Sequence, residues 1–197
     1  MKHIIICGID RCGKNSLIKG ICDHYNYNGV HIRHFDKPPK TLTSVQAFEF
    51  QKNTFSKEGN FIECISNLEK DQYYYHENVL IWNRSPYGEY VYGQMFRKLE
   101  KKVIIKYIRT YDNFYLYHDN TYFIMLTADP EFCLKQEDGN SFSKTIEQKT
   151  KEISLFNEVF ELSSLNKLKI KVNDGDNYIS KETILNNTLN FINNGKH

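Results

Sequence analysis

The chain has 197 residues, of which 25% are charged, and it carries a formal net charge of +2. This length suits one domain with a full hydrophobic core. The small net charge argues against a nucleic-acid partner. No apolar run is long enough for a signal peptide or a membrane span. The five cysteines are odd in number and never in C-x-x-C spacing, so they favour a reducing compartment over a disulfide framework and predict a cytoplasmic protein.

The first predicted strand runs into a loop that is bracketed by glycines. Residues 4–7 are apolar, Gly8 follows, and after four more residues Gly13 and Lys14 open an amphipathic stretch. This order of buried strand, glycine turn and helix N-terminus is that of a phosphate-binding loop, in which backbone N–H groups and the helix dipole favour phosphate and the lysine adds a cation. The residues predicted to bind ATP are Gly8, Asp10, Arg11, Cys12, Gly13, Lys14, Asn15 and Ser16.

The residue after Lys14 departs from the phosphate-loop pattern. A serine or threonine there would place a hydroxyl on the Mg²⁺ ion that accompanies ATP, whereas this chain has Asn15. An amide oxygen is also a hard ligand for Mg²⁺, and Ser16 is an alternative after a small change of register. We therefore expect nucleotide binding to tolerate this substitution better than catalysis does.

Downstream of the loop, strand patterns alternate with helix patterns. In chain order, the predicted elements are a helix over 14–25, a strand over 30–35, two helices within 41–75 broken near 57–60, a strand over 79–82, helices over 86–99 and 102–117, a strand over 121–127, a short helix opened by Asp129-Pro130, a helix over 145–163, a strand over 167–172, a turn at 174–175 and a final helix capped by Ser180. The polar stretch 136–144 is predicted to be a mobile loop. This alternation predicts an α/β fold with a mostly parallel sheet, helices on both faces and a ligand site at the carboxyl ends of the strands.

Four segments resemble motifs of the thymidylate kinases. Residues 8–14 (Gly-Ile-Asp-Arg-Cys-Gly-Lys) are similar to the family's phosphate loop, G-x-D-R-x-G-K-[ST]. Residues 35–37 (Phe-Asp-Lys) resemble F-P-[DE]-R, residues 50–53 (Phe-Gln-Lys-Asn) resemble F-S-x-N-R, and residues 83–85 (Asn-Arg-Ser) resemble D-R-[YHS], which deoxynucleoside kinases carry as E-R-S. The resemblance implies one P-loop kinase domain over 1–197, with strand order 2-3-1-4-5 and a short lid formed by the polar stretch.

The same resemblance implies roles for individual side chains. Asp10 would hold the 3′-hydroxyl of a deoxyribonucleotide acceptor, and Arg11 would reach the transferring phosphoryl group. Phe50 would stack on the acceptor base, while Lys37 and Arg84 would bind phosphate oxygens. Family members with an arginine in the phosphate loop do without catalytic arginines in the lid, and the lid of this chain contains none.

An aromatic and glycine-rich segment follows the third predicted strand, at 85–93. It is either a wall of the acceptor pocket, with Glu89 or Tyr92 at the sugar, or ordinary helix packing. Two further positions depart from the family. Thr54 stands where an arginine would contact the base, which puts thymine specificity in question, and Asn83 replaces an aspartate that lies near Mg²⁺.

We expect the protein to transfer the γ-phosphoryl group of ATP, with Mg²⁺, to a deoxynucleoside monophosphate, dTMP or a related pyrimidine nucleotide first. The predicted catalytic residues are Lys14, Arg11 and Arg84, and the predicted metal-site residues are Asn15 and Asn83. Two alternatives stay open, namely a deoxynucleoside kinase and a nucleotide-binding regulatory or assembly module that has lost catalysis. The sequence leaves both a monomer and a homodimer open.

Overall fold

The computed structural model describes residues 1–27, 29–35, 38–39, 41–70, 79–117, 120–139 and 141–194, without the side chains of 64–70. Strands and helices alternate along most of this chain. In order they are β1 (Lys2–Gly8), α1 (Lys14–His24), β2 (Val30–His34), α2 (Ser44–Lys70), β3 (Val79–Asn83), α3 (Tyr87–Arg97), α4 (Lys101–Tyr117), β4 (Thr121–Thr127), α5 (Pro130–Lys135), α6 (Ile146–Leu162), β5 (Asn166–Lys171), β6 (Asn173–Asp174), β7 (Asn177–Tyr178) and α7 (Lys181–Asn194).

Five of the strands form a parallel sheet in the order β2-β3-β1-β4-β5, which confirms the predicted order. The central strand β1 pairs with both neighbours, so that Ile5 lies beside Trp82 on one side and Phe123 on the other. All three side chains are fully buried. A strand covered on both faces needs such a continuous apolar run, and its position places the loop that follows β1 at the middle of the sheet's carboxyl edge.

The helices pack in two groups. Helix α1 contacts α7, while α3 contacts α2, α4 and α6. Right-handed crossovers from β1 to β2 and from β2 back toward β3 put α1 and α2 on opposite faces of the sheet. The site at the carboxyl edge therefore receives residues from both helical layers.

Helix α2 runs without a break from Ser44 to Lys70, so the prediction of two helices broken near 57–60 is wrong. A glycine inside a helix costs about 1 kcal/mol, yet tertiary packing on both sides of Gly59 outweighs this cost. The Phe55 ring meets Tyr111 edge-on with centroids 4.0 Å apart, and Ile62 is fully buried. The predicted part beyond residue 70 lies outside the described residues.

A short antiparallel hairpin joins β6 to β7 around the turn that the sequence predicted, although the two strands themselves were not predicted. Its second strand carries Tyr178, whose hydroxyl donates a hydrogen bond to the backbone oxygen of Arg11 at 2.7 Å. The Tyr178 ring also packs edge-on against Phe132 of α5, with centroids 4.6 Å apart. The hairpin therefore supports the loop after β1 from outside the main sheet.

Candidate active site

The loop between β1 and α1 has the geometry that its glycines predict. Gly8 has a φ of +132° and Gly13 a φ of +81°, and Arg11 between them also has a positive φ, of 67°. Left-handed backbone turns successive N–H groups toward one side, which makes a concave anion site at a helix N-terminus. Helix α1 begins directly after Gly13, at Lys14.

Gly8 is required by a close approach to β4. A Cβ atom built on Gly8 would lie 2.0 Å from the carbonyl oxygen of Leu126. We predict that Gly8→Ala lowers the free energy of unfolding by about 2–6 kcal/mol, because backbone strain and a backbone clash add together. Gly139→Ala is the control, since a Cβ there meets no atom within 4 Å and costs only about 1–2 kcal/mol of left-handed strain. Urea unfolding measures both, and equal effects would contradict the role of the clash.

Lys14 is a buried cation inside this loop. Its Nζ donates hydrogen bonds to the backbone oxygens of Gly8 at 3.0 Å and Ile9 at 2.6 Å, and its side chain is almost fully enclosed. Cys12 donates to the same Ile9 oxygen at 2.8 Å and lies 3.8 Å from Nζ. The loop thus fixes the ammonium group among its own carbonyl oxygens, at the floor of a cavity.

A cavity of about 640 Å³ opens over the loop. Its floor is residues 10–17, and its other walls include Asn83 and Arg84 after β3, Ser141 of the lid, and Tyr178 of the hairpin. Sites for small molecules commonly measure about 300–1,000 Å³. The cavity is therefore large enough for a nucleoside triphosphate whose phosphates lie on the loop.

A second cavity, of about 340 Å³, lies beside the first, between α2, α3 and the lid. Among the described residues, Asp10, Lys14 and Arg84 line both cavities. Arg84 has a left-handed φ of 66°, and its Nη2 lies 3.9 Å from Oδ1 of Asp10. Two ligands bound in these cavities would meet at one cluster of two cations and one carboxylate.

Apolar rings and one ion pair make up the far wall of the second cavity. Tyr92, Phe96 and Phe142 lie side by side, with ring centroids of Tyr92 and Phe142 5.2 Å apart. Glu89 is buried and accepts hydrogen bonds from Nε of Arg97, at 3.0 Å, and from its Nη2. Burial raises the pKa of Glu89, and the Arg97 guanidinium opposes that rise.

Arg97 is a site residue that the sequence reasoning missed. It ends α3, where an arginine ordinarily stabilises the helix through the negative end of the dipole, so no local signal distinguishes it. The predicted sugar residues Glu89 and Tyr92 do line the second cavity. Tyr92 also donates a hydrogen bond from its hydroxyl to Oε1 of the buried Glu152, at 2.8 Å.

The predicted substrate residue Phe50 is not placed at either cavity. Phe50 lies on α2 but lines neither cavity, because Ala47 and Gln51 occupy the face of the helix that turns toward the second one. The stacking role that the resemblance gave to Phe50 therefore has no support in this geometry. The predicted phosphate ligand Lys37 lies outside the described residues.

The predicted lid contributes residues to the walls of both cavities and is bound to α6. Arg11 forms an ion pair with Asp138 of the lid, and the fully buried Lys149 of α6 donates to Glu137 at 2.8 Å. Burial acts to raise the pKa of Glu137, but hydrogen bonds from Lys149 and Ser141 outweigh it and lower the pKa to about 2. The lid thus lies over the loop, held by two ion pairs.

The predicted metal residues lie next to each other, with Asn15 in the first turn of α1 and Asn83 at the end of β3. Nδ2 of Asn83 donates a hydrogen bond to Oδ1 of Asn15 at 2.9 Å, and Oδ1 of Asn83 is buried without a hydrogen-bond partner. No group of three or more His, Cys, Asp or Glu side chains that fits a metal occurs within the described ranges. These residues fit Mg²⁺ as neutral oxygen ligands, with the opposing charge left to the nucleotide phosphates.

The strand order and the glycine loop together define the α/β fold of the P-loop kinases. Solved structures with this fold include YorR from Bacillus subtilis in complex with phosphorylated GDP, which is 16% identical, with coverage of 100% of this chain and 99% of YorR and a TM-score of 0.66. A thymidylate kinase from Ehrlichia chaffeensis is 13% identical over 95% of this chain and 96% of its own, with a TM-score of 0.59. Polyphosphate kinase 2 from Arthrobacter aurescens is 10% identical over 98% of this chain and 68% of its own, with a TM-score of 0.58.

No protein-family model and no curated protein sequence matches this chain. At the identities above, the likeness to the solved structures extends to the fold alone. Along the described residues, no helix is long and apolar enough to cross a membrane.

Proposed function

We propose that this protein transfers the γ-phosphoryl group of ATP to a deoxynucleoside monophosphate. The observation that carries the proposal is that two ligand-sized cavities meet at Asp10, Lys14 and Arg84. One cavity lies over the phosphate loop and suits the triphosphate, while the other is ringed by aromatic side chains and suits a base. The cationic side chains at this junction, Lys14 and Arg84, would face the phosphoryl group as it is transferred.

Two solved structures with this fold support a nucleotide as the ligand. One is a thymidylate kinase, and the other is YorR in complex with phosphorylated GDP. The Asp-Arg pair within the phosphate loop favours the thymidylate kinase pattern among these. Proposed acceptors are therefore dTMP and other deoxynucleoside monophosphates.

The chain's own residues suffice for the proposed transfer of a phosphoryl group between two phosphates. Loop amides and Lys14 hold the β- and γ-phosphates, and Arg11 and Arg84 offset the negative charge that spreads over the oxygens in the transition state. Mg²⁺, when bound with ATP beside Asn15 and Asn83, supplies further charge neutralisation. The lid excludes water from the junction, which limits ATP hydrolysis.

The chemistry of residue 83 favours a monophosphate over a nucleoside as acceptor. A phosphate monoester has a second pKa of about 6, so its oxygen is already anionic at neutral pH and needs no base. A nucleoside 5′-hydroxyl has to lose its proton to a general base. Asn83 occupies the strand end where the resemblance to deoxynucleoside kinases places a glutamate, and an amide is a poor base.

The proposal is tested by incubating the protein with Mg²⁺ and ATP labelled in the γ-phosphate, together with each deoxynucleoside monophosphate and each deoxynucleoside in turn. Label in a deoxynucleoside diphosphate is the expected result. Label in a monophosphate, formed from a deoxynucleoside, would make the protein a nucleoside kinase. Absence of label from both, with ATP binding intact, would leave a nucleotide-binding module.

The two asparagines give a prediction about the metal. We expect Asn15→Ser and Asn83→Asp each to lower the Mg²⁺ concentration for half-maximal activity, because one restores a hydroxyl ligand and the other an anionic neighbour of the ion. Outer-shell changes of this kind alter metal affinity by about 10–100-fold. The double variant should respond more than either single one, since both side chains act on one ion. A fall in maximal activity with Asn83→Asp, at every Mg²⁺ concentration, would instead mean that the carboxylate repels the phosphates.

A further inference from the structure

The ion pair between Glu89 and Arg97 lies in the wall of the second cavity and has no part in the transfer described above. Both residues belong to α3, and their side chains are 2% and 15% exposed. Removing two charges from water is costly, and a buried pair is often no more stable than apolar residues of equal volume. A buried pair that lines a ligand cavity is better explained by recognition than by stability.

Small residues surround the Glu89–Arg97 pair and leave room beside it for a ligand. Gly93 lies one turn after Glu89, and a Cβ there would lie 3.1 Å from Oε1 of Glu89. Small residues also line the same cavity, which leaves room for a base with two rings. They are Ser44, Ala47, Ser85 and Gly88.

The hydrogen-bonding capacity of the pair is specific. A carboxylate only accepts hydrogen bonds and has about four lone-pair sites, of which the bonds from Nε and Nη2 of Arg97 use two. A guanidinium only donates and has five N–H groups, so those not directed at Glu89 remain for ligand acceptors. The pair therefore presents donors beside acceptors to whatever base enters the cavity.

The four bases differ in how well they complement such a pair. Guanine presents a carbonyl oxygen next to two adjacent donors, N1–H and the 2-amino group. Thymine presents one N–H between two carbonyl oxygens, which would place an oxygen against the Glu89 carboxylate. Cytosine and adenine each present one amino group beside a ring acceptor. Guanine alone matches the guanidinium with its carbonyl oxygen and the carboxylate with two donors.

We infer that Glu89 and Arg97 select guanine as the base of the acceptor. The inference rests on the proposed function, because it names the acceptor that this cavity takes. Arg97 donates to O6 from an N–H that its pair with Glu89 leaves over, and a single carboxylate oxygen of Glu89 accepts from N1–H and the neighbouring 2-amino group. The aromatic rings of Tyr92, Phe96 and Phe142 complete the wall beside the base.

The first test changes the ligand and leaves the protein intact. The kcat/KM of the wild-type protein is measured with dGMP, dTMP and dIMP, which is dGMP without its 2-amino group. We expect dGMP to exceed dIMP by about 10- to 100-fold, as for a lost hydrogen bond to a charged group, and dTMP to be a poorer acceptor than dGMP. Equal values for dGMP and dIMP, or a preference for dTMP, would overturn the inference while leaving a kinase in place.

The second test uses Glu89→Gln, which keeps the size of the side chain but replaces one acceptor oxygen by a donor. The ratio of kcat/KM for dGMP over dTMP should fall at least about tenfold. The matched control is Glu58→Gln, which breaks the Glu58–Arg33 pair, with bonds of 2.8 and 3.0 Å, away from both cavities. That control should leave the ratio unchanged, and an equal fall in both variants would assign the effect to stability.

Two further outcomes need measurements of folding and of binding. Circular dichroism melting shows whether Glu89→Gln folds. If it does not, the comparison of dGMP with dIMP in the wild-type protein decides alone. If no monophosphate is phosphorylated, the proposed function fails, and equilibrium dialysis with the same three nucleotides decides the inference separately. Tighter binding of dGMP than of dIMP would support guanine selection in a non-catalytic protein, and equal binding would remove it.

Discussion

Replacing Lys14 by methionine should lower the kcat of phosphoryl transfer by about 10²- to 10³-fold, as removal of one preorganised donor does at other charge-stabilising sites. The buried ammonium lies at the junction of both cavities, held by the oxygens of Gly8 and Ile9. Methionine fills much the same space, so the fold should persist. Steady-state kinetics, ATP titration and circular dichroism measure activity, affinity and folding separately.

The matched control for that substitution is Lys19→Met on the same helix. Lys19 is exposed and pairs with Asp23 one turn away, at 2.8 Å. Kinetics like those of the wild type are expected, because an exposed pair of this kind contributes little. If Lys14→Met also binds ATP and turns over like the wild type, the loop does not hold phosphates.

Arg84→Met should have the largest effect, a fall in kcat of about 10³- to 10⁵-fold, the range for an arginine that stabilises a transferring phosphoryl group. Arg84 lines both cavities, and in the proposed transfer its guanidinium would lie where the donor and acceptor phosphates meet. In that role it would contribute most in the transition state, so kcat should fall more than either KM rises. Rapid-quench measurement of a single turnover separates this effect from product release.

Arg33→Met is the control for Arg84→Met. Arg33 forms a bidentate pair with Glu58 and lines neither described cavity. Its loss should alter stability but leave kcat within about twofold. A change in the KM of the acceptor alone, with kcat intact, would limit Arg84 to substrate binding.

The sequence predicted the centre of the site because its signals there are local. An apolar strand, two glycines at fixed spacing and a lysine determine the loop within fourteen residues, and the loop's geometry follows from them. The alternation of strands with helices predicted only a mostly parallel sheet. The strand order came from the resemblance to the thymidylate kinases, and the structure confirms it.

The second cavity was predicted less well because its walls come from distant segments. Residues 50–53 resemble a motif of the family, yet the rotation of α2 turns Gln51, not Phe50, toward the second cavity. Phe142 and Arg97 line it for reasons that only tertiary packing supplies. A sequence pattern gives the phase of a helix only where its apolar face is distinct, and α2 carries aromatic residues on two opposite sides.

The measurement that most directly tests whether the two cavities form one transfer site is inhibition by a bisubstrate analogue. Adenosine and a deoxynucleoside are joined through their 5′-oxygens by five phosphates, in one version with deoxyguanosine and in another with thymidine. A single site that spans both cavities predicts that the better analogue inhibits competitively against ATP and also against the monophosphate. Competition against ATP alone, for both versions, would contradict a shared junction at Asp10, Lys14 and Arg84.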